Sequence, residues 1–186
     1  MSRLSRRFVA PMALIAAAGL SLAGPPEERV TLTPVTYDAL RARIAKNPSK
    51  AKFTIVDAWS TVCGPCKENF PHLVAMNTKY ASKGLAVASL TLDDRDDKKA
   101  VAEALKFLKA QKATFPNYLM DEEAGVGFDK LNINAIPAVF LFGPDGKEIR
   151  RFTMDDPDNQ FTYDEVEQAV ASLLDGKPLP APKSQK

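Results

Sequence analysis

Cys63 and Cys66 are the only two cysteines among 186 residues, and they fall within one four-residue segment, Cys63-Gly64-Pro65-Cys66. A disulfide across so short a loop adds little as a brace: chain entropy gives about 2 kcal/mol, against roughly 4–5 for a long loop. The spacing suits exchange chemistry better, in which one thiolate attacks a disulfide and the second cysteine resolves the mixed disulfide. A passive local disulfide and half of a zinc site are the other chemistries the pair allows. Zinc takes four Cys or His ligands, and the chain adds a single histidine, His72, and no further cysteine. The C-x-x-C spacing leaves these readings open, so the flanking residues must decide.

Before the pair, Phe53-Thr54-Ile55-Val56-Asp57-Ala58-Trp59 is a short run of apolar, β-branched and aromatic residues. It reads as a buried strand. Ser60-Thr61-Val62 turns the chain. After the pair, Phe70, Leu73, Val74, Met76 and Tyr80 form a helical face, with Pro71 expected to kink it. The cysteines therefore lie where a strand delivers the chain to a helix N-terminus. Unpaired N–H groups and the helix dipole there favour a thiolate. Cys63, at the exposed start, is the expected nucleophile with a depressed pKa; Cys66, one turn in, is the expected resolver. Pro65 has no N–H to lose in the first turn.

The segment Val56-Asp57-Ala58-Trp59-Ser60-Thr61-Val62-Cys63-Gly64-Pro65-Cys66-Lys67 resembles the active-site segment of the thioredoxin superfamily. Ala135-Ile136-Pro137-Ala138-Val139-Phe140-Leu141-Phe142 resembles the same family's cis-proline segment and following strand. The resemblance covers residues 36–174 and implies an α/β, thioredoxin-like fold, a mixed β-sheet flanked by helices. It also implies a cis bond before Pro137 and a substrate surface formed by Trp59, Gly64, Pro65 and Ile136. From the residues alone Trp59 suits a core position equally well. Asp57, in an otherwise apolar strand, is either a strand-end carboxylate or, as the resemblance implies, a buried acid behind Cys66 that shuttles a proton. Three departures stand out. Ser89 occupies a position where the family often has a lysine near the acid, Val62 replaces a tryptophan common before the first cysteine, and Arg151-Phe152-Thr153 lacks a glycine that touches substrate.

The first residues point to export. Arg3, Arg6 and Arg7 precede an apolar run from Val9 to Leu22, and Ser21-Leu22-Ala23 suits cleavage before Gly24. This is the pattern of a secretory signal peptide over residues 1–23. The run is short for a membrane span, and an uncleaved anchor is the alternative. Removing residues 1–23 takes three arginines and no acid, leaving 22 basic against 23 acidic side chains. Nothing in that balance argues for nucleic acid or an anionic membrane as partner, and no nucleic acid is expected. An exported chain with one C-x-x-C and no other cysteine reads as a redox agent in an oxidising compartment.

Residues 24–35 read as a linker, 36–175 as one domain and 176–186 as a disordered, proline-rich tail. Helices are expected from Thr36 to Asn47, near 98–112, around 124–131 and over 163–174, with strands at 85–92, 115–119, 138–142 and 147–152. The run Asp93-Asp94-Arg95-Asp96-Asp97 reads as a solvated loop and helix cap. The extra helix and strand between 92 and Pro137 resemble the exported, TlpA/ResA-type subgroup, some members of which act in cytochrome c maturation. The resemblance implies a monomeric reductase of disulfides in exported proteins, without a cofactor and fed by a membrane electron donor. An oxidase or isomerase is the alternative within that class; a redox-responsive or metal-binding module is the alternative outside it.

Overall fold

The computed structural model describes residues 29–181 apart from 48 and 124. The leader at 1–23 lies outside the described residues. Among them, no helix is long and apolar enough to cross a membrane.

The sheet is built around β2 (Phe53–Trp59), the apolar run ahead of the cysteines. β3 (Leu85–Thr91) pairs parallel to it, aligning Asp57 with Ser89 and Trp59 with Thr91. On its other side β5 (Ala138–Phe142) runs antiparallel, aligning Asp57 with Val139. β6 (Glu148–Phe152) extends that edge antiparallel to β5. Beyond β3 lies β4 (Asn117–Met120), and β1 (Thr33–Val35) closes the far edge, both parallel. The order β1-β4-β3-β2-β5-β6 makes one mixed sheet of six strands. β4, from the stretch expected to carry an extra helix and strand, separates β1 from β3.

Side chains alternate across a strand, and that parity divides the interior in two. Ile55 and Trp59 of β2 face α2 (Gly64–Tyr80), α3 (Lys98–Ala110) and α5 (Tyr163–Leu174), meeting Phe70, Leu73, Leu108 and Val166. Val56 and Ala58 face α1 (Tyr37–Lys46) and α4 (Val126–Leu131), meeting Leu40, Ile44 and Leu131. Helix starts follow the caps. Thr36 Oγ1 accepts from Ala39 N at α1, Asp97 accepts from Lys99 N and Ala100 N at α3, and Thr162 with Glu165 forms a capping box at α5. Pro71 stands inside α2, which continues through it as helix.

Two boundaries differ from the sequence reading. The expected linker at 24–35 ends in β1, whose Pro34 sits opposite Leu119; a strand of three residues has too little periodicity to show in sequence. In the expected tail, Leu179 packs against the core and Pro180 O accepts from Arg150 Nη1 at 2.7 Å. The turn between β5 and β6 presses on α1. A Cβ at Gly146, where φ is +73°, would lie 2.5 Å from the Ala45 Cα, so only glycine fits there.

Behind the cysteine helix, Phe70 is fully buried and touches three aromatic rings, Trp59 at 5.4 Å, Phe107 at 5.1 Å and Phe115 at 6.2 Å between centroids. Phe70→Ala is expected to lower unfolding free energy by about 3–5 kcal/mol, measured by urea denaturation. A loss under about 1 kcal/mol, the scale of volume-conserving swaps, would show that this cluster does not anchor α2.

Candidate active site

The chain leaves β2 at Trp59 and turns through Ser60, Thr61 and Val62 into α2. That turn is fixed from outside. Asp93, buried just past the end of β3, accepts from Thr61 N at 3.0 Å, from Thr61 Oγ1 at 2.7 Å and from Thr91 Oγ1. Of the acidic run expected to be a solvated loop and cap, Asp97 caps α3, whereas Asp93 is 8% exposed and faces inward. The main chain of Trp59 also accepts from Leu92 N at 2.8 Å.

Cys63 is the N-cap of α2, with Gly64 and Pro65 in the first turn. Cys63 and Cys66 are disulfide-bonded, with their Cα atoms 5.3 Å apart. Cys66 is 1% exposed within the core, while Cys63 is half-buried and reachable. Cys63 Sγ accepts from Cys66 N at 3.2 Å, a bond that would strengthen if the sulfur became anionic. The first turn carries no acid to oppose that charge. Val62, before the nucleophile candidate, is 90% exposed.

The second loop arrives from β5. The Ile136–Pro137 bond is cis, and Pro137 is buried. Ile136 O lies 3.7 Å from Cys63 Sγ, so the two loops meet at the accessible sulfur. Asp155 holds this loop, accepting from Asn134 N at 2.7 Å and Ala135 N at 3.0 Å. The structure thus brings Cys63, Gly64, Pro65 and Ile136 together, with Cys66 buried beneath them.

Trp59 does not join them. The resemblance implied a place on the docking surface; the structure buries it fully, between the rings of Phe70 and Phe107. Both faces of the central strand β2 are covered, and Trp59 shares with Ile55 the face under α2 and α3. Its Nε1 has no hydrogen-bond partner.

Asp57 lies on that same covered face, 1% exposed. Oδ2 accepts from Tyr163 Oη at 2.7 Å, and Oδ1 has no partner. Burial raises the carboxyl from its ordinary 3.8 to about 7, with the Tyr163 hydrogen bond pulling the other way. Burial, then the Asp57 charge, pushes the Tyr163 hydroxyl up as well. Ser89, opposite Asp57, donates to Asn117 Oδ1 at 2.8 Å, so the strand position where the family often has a cation is filled by a neutral pair. Sequence reasoning missed Tyr163. The one signal for it was a tyrosine heading an amphipathic helix.

A cavity of about 610 Å³ lies between β6, the 153–162 loop and the start of α5, and takes in neither cysteine. Cys63, half-buried, lies outside that cavity, between the exposed Val62 and Gly64.

The redoxin family profile matches residues 42–172. The thiol-disulfide oxidoreductase ResA of Bacillus subtilis is 28% identical over 119 residues, covering 64% of this chain and 63% of that protein. The sporulation thiol-disulfide oxidoreductase A of the same organism is 29% identical over 100 residues, covering 54% of this chain and 58% of that protein. The chain thus spans less than two thirds of the length of these relatives. Among solved structures, a protein from Chlorobium tepidum assigned as the thiol:disulfide interchange protein DsbE matches with a TM-score of 0.54 at 25% identity, over 68% of this chain and 82% of that one. An uncharacterized conserved protein from Geobacillus kaustophilus matches with a TM-score of 0.56 at 25% identity, over 74% of this chain and 75% of that one.

The buried acid makes stability depend on pH. Between the ordinary value of 3.8 and about 7, the folded chain holds a proton on Asp57 that the unfolded chain has released. Stability from this group is therefore fully present below the lower value and falls as pH rises, by about 4 kcal/mol in all, levelling above the upper one. Asp57→Asn is expected to remove that decline. In urea denaturation across pH 4–8, the variant should gain on the wild type through the window and hold its margin beyond it. Parallel curves would show that Asp57 ionises in the fold without penalty.

Proposed function

We propose that this chain, which belongs to the redoxin family, is a thiol–disulfide oxidoreductase that reduces disulfides of exported proteins through Cys63 and Cys66. One observation carries the reading: an accessible sulfur at a helix N-cap, accepting a backbone N–H, joined to a buried sulfur one turn on. In the reduced protein Cys63 thiolate attacks a substrate sulfur; the substrate disulfide breaks, and its other sulfur leaves as thiolate and takes a proton. Cys66, shielded from competing disulfides, then attacks Cys63 Sγ. The Cys63–Cys66 bond forms, the bond from Cys63 to substrate breaks, and two electrons have passed to the substrate. Asp57 takes the Cys66 proton in that second step, and the Pro137 loop presents main chain beside Cys63. Gly64, Pro65 and Ile136 meet the substrate.

The open position of Cys63 supports a protein substrate rather than a small molecule enclosed in a pocket. The leader pattern at residues 1–23 supports export, and a dithiol that works as a reductase outside the cytoplasm needs a membrane electron donor. The domain acts as a monomer in this scheme.

Mixing each reduced variant with a disulfide-containing protein tests the roles. Cys66→Ser should accumulate a covalent mixed disulfide through Cys63, seen as the summed mass on non-reducing analysis, while Cys63→Ser should form none and lose turnover. Turnover that survives Cys63→Ser would end the proposal. The direction of flow is read from the reduction potential of the pair. A value near that of thioredoxin, about −270 mV, is expected, and one approaching about −120 mV would make the chain an oxidant.

A further inference from the structure

We propose that Tyr163 is a positioning residue for the resolving step: its hydroxyl holds one oxygen of Asp57 and leaves the other free to exchange a proton with Cys66. The proposal rests on the oxidoreductase reading and adds a residue 106 positions away in sequence.

Three features fix the hydroxyl. Tyr163 is the first residue of α5, a helix whose start is set by the Thr162–Glu165 capping box, with Thr162 N donating to Glu165 Oε2 at 2.7 Å. Its ring is clamped, stacked on His72 of α2 at 5.8 Å and tilted against Phe161 at 5.5 Å. It is 4% exposed, so its Oη has little water to turn to, and it donates to Asp57 Oδ2 at 2.7 Å. Asp57 Oδ1 is buried without a partner. A carboxylate pinned by one oxygen and open at the other is arranged to receive a proton.

The groups around Asp57 come from α2 and α5, on its side of the sheet, and from the two neighbouring strands. Tyr163 comes from α5. Cys66 comes from α2 and lies in the same layer of the core. His72, also of α2, faces the Tyr163 ring and is exposed. The strand neighbours, Ser89 of β3 and Val139 of β5, do not titrate. The Lys79–Glu167 pair between α2 and α5 is closed on itself at 2.6 Å, with Tyr80 Oη also on Glu167.

In the resolving step, Asp57 carboxylate removes the Cys66 thiol proton. Cys66 thiolate attacks Cys63 Sγ, the Cys63–Cys66 bond forms, and the bond from Cys63 to substrate breaks. The electron pair leaves on the substrate sulfur, which takes a proton from water, and Asp57 later returns its own proton to solvent. A hydroxyl donating to Asp57 favours the charged, proton-accepting form. Without it, burial acts unopposed and Asp57 stays protonated to higher pH.

The test is the titration of the Asp57 carboxyl carbon by NMR in the full, oxidised chain, which needs no substrate. Tyr163→Phe keeps the ring and removes the hydroxyl, and the midpoint should rise by about one pH unit or more. Replacing Tyr163 with 3,5-difluorotyrosine strengthens the donor and should lower it, so the proposal stays open to refutation even if Tyr163→Phe folds poorly. The rate of substrate release from a preformed mixed disulfide on Cys63 should shift along the pH axis in the same directions. In an Asp57→Asn background, Tyr163→Phe should change that rate no further. Coincident midpoints, with stability alone altered, would overturn the proposal and leave Cys63-dependent turnover untouched. Turnover independent of Cys63 would instead overturn the oxidoreductase reading, and this role with it.

Discussion

The placement of the cysteine pair depends on the junction at which β2 hands the chain to α2. A strand and a helix differ in direction and in hydrogen-bond pattern, and the residues between them belong to neither. Here Thr61 is tied to the Asp93 carboxylate through both its N–H and its hydroxyl. That carboxylate is in turn braced by Thr91 at the end of the neighbouring strand. The junction is thereby fixed to β3 as well as to β2. Cys63 then falls on the N-cap and Cys66 one turn inside, and the difference in exposure between the two sulfurs follows from helix geometry alone. The facing loop is secured by the same device, with Asp155 binding the two N–H groups that precede Ile136. Two carboxylates from separate segments thus hold the cysteine turn and the proline loop, one each.

A second constraint runs through the same strand. The parity of β2 that buries Ile55 and Trp59 also buries Asp57, on a face otherwise apolar. An acid there works against the fold once it is charged. The structure offsets part of that with one hydrogen bond from Tyr163 and leaves the rest, as the unpartnered Oδ1 shows. A fold optimised only for stability would carry an apolar residue at 57. Retention of a half-satisfied acid, in the layer that holds Cys66, is the kind of local conflict expected where chemistry rather than packing sets the residue.

What was legible in the sequence follows the range of the forces involved. β2 and the helix α5 carry periodic signals within one segment, and both emerged with the expected bounds, Phe53–Trp59 and Tyr163–Leu174. The cysteine turn was legible because its signals, an apolar strand, a turn and an amphipathic helix, are contiguous. Contacts across the fold left no such mark. Tyr163 reaches Asp57 over 106 positions, and nothing local distinguishes a tyrosine that donates to a buried acid from one that packs. Asp93 sits in a run of acids that looks solvated, and its burial is made tolerable by Thr61, which arrives from 32 positions away, together with Thr91. Trp59 was ambiguous for a different reason. An aromatic at the end of a strand can face either way until the helices above it are placed, and here α2 and α3 close over it.

The surface around Cys63 narrows what can react there. Val62 projects almost fully into solvent immediately before Cys63, and Ile136, half-buried, flanks Cys63 from the other loop. A branched aliphatic side chain held in water at a reactive centre has no folding role, and its burial on contact contributes to association. Where the family commonly presents an aromatic before the first cysteine, this chain offers a smaller apolar knob. Val62 has no aromatic face on which a partner can stack, so under the proposed function its contribution to contact rests on apolar burial.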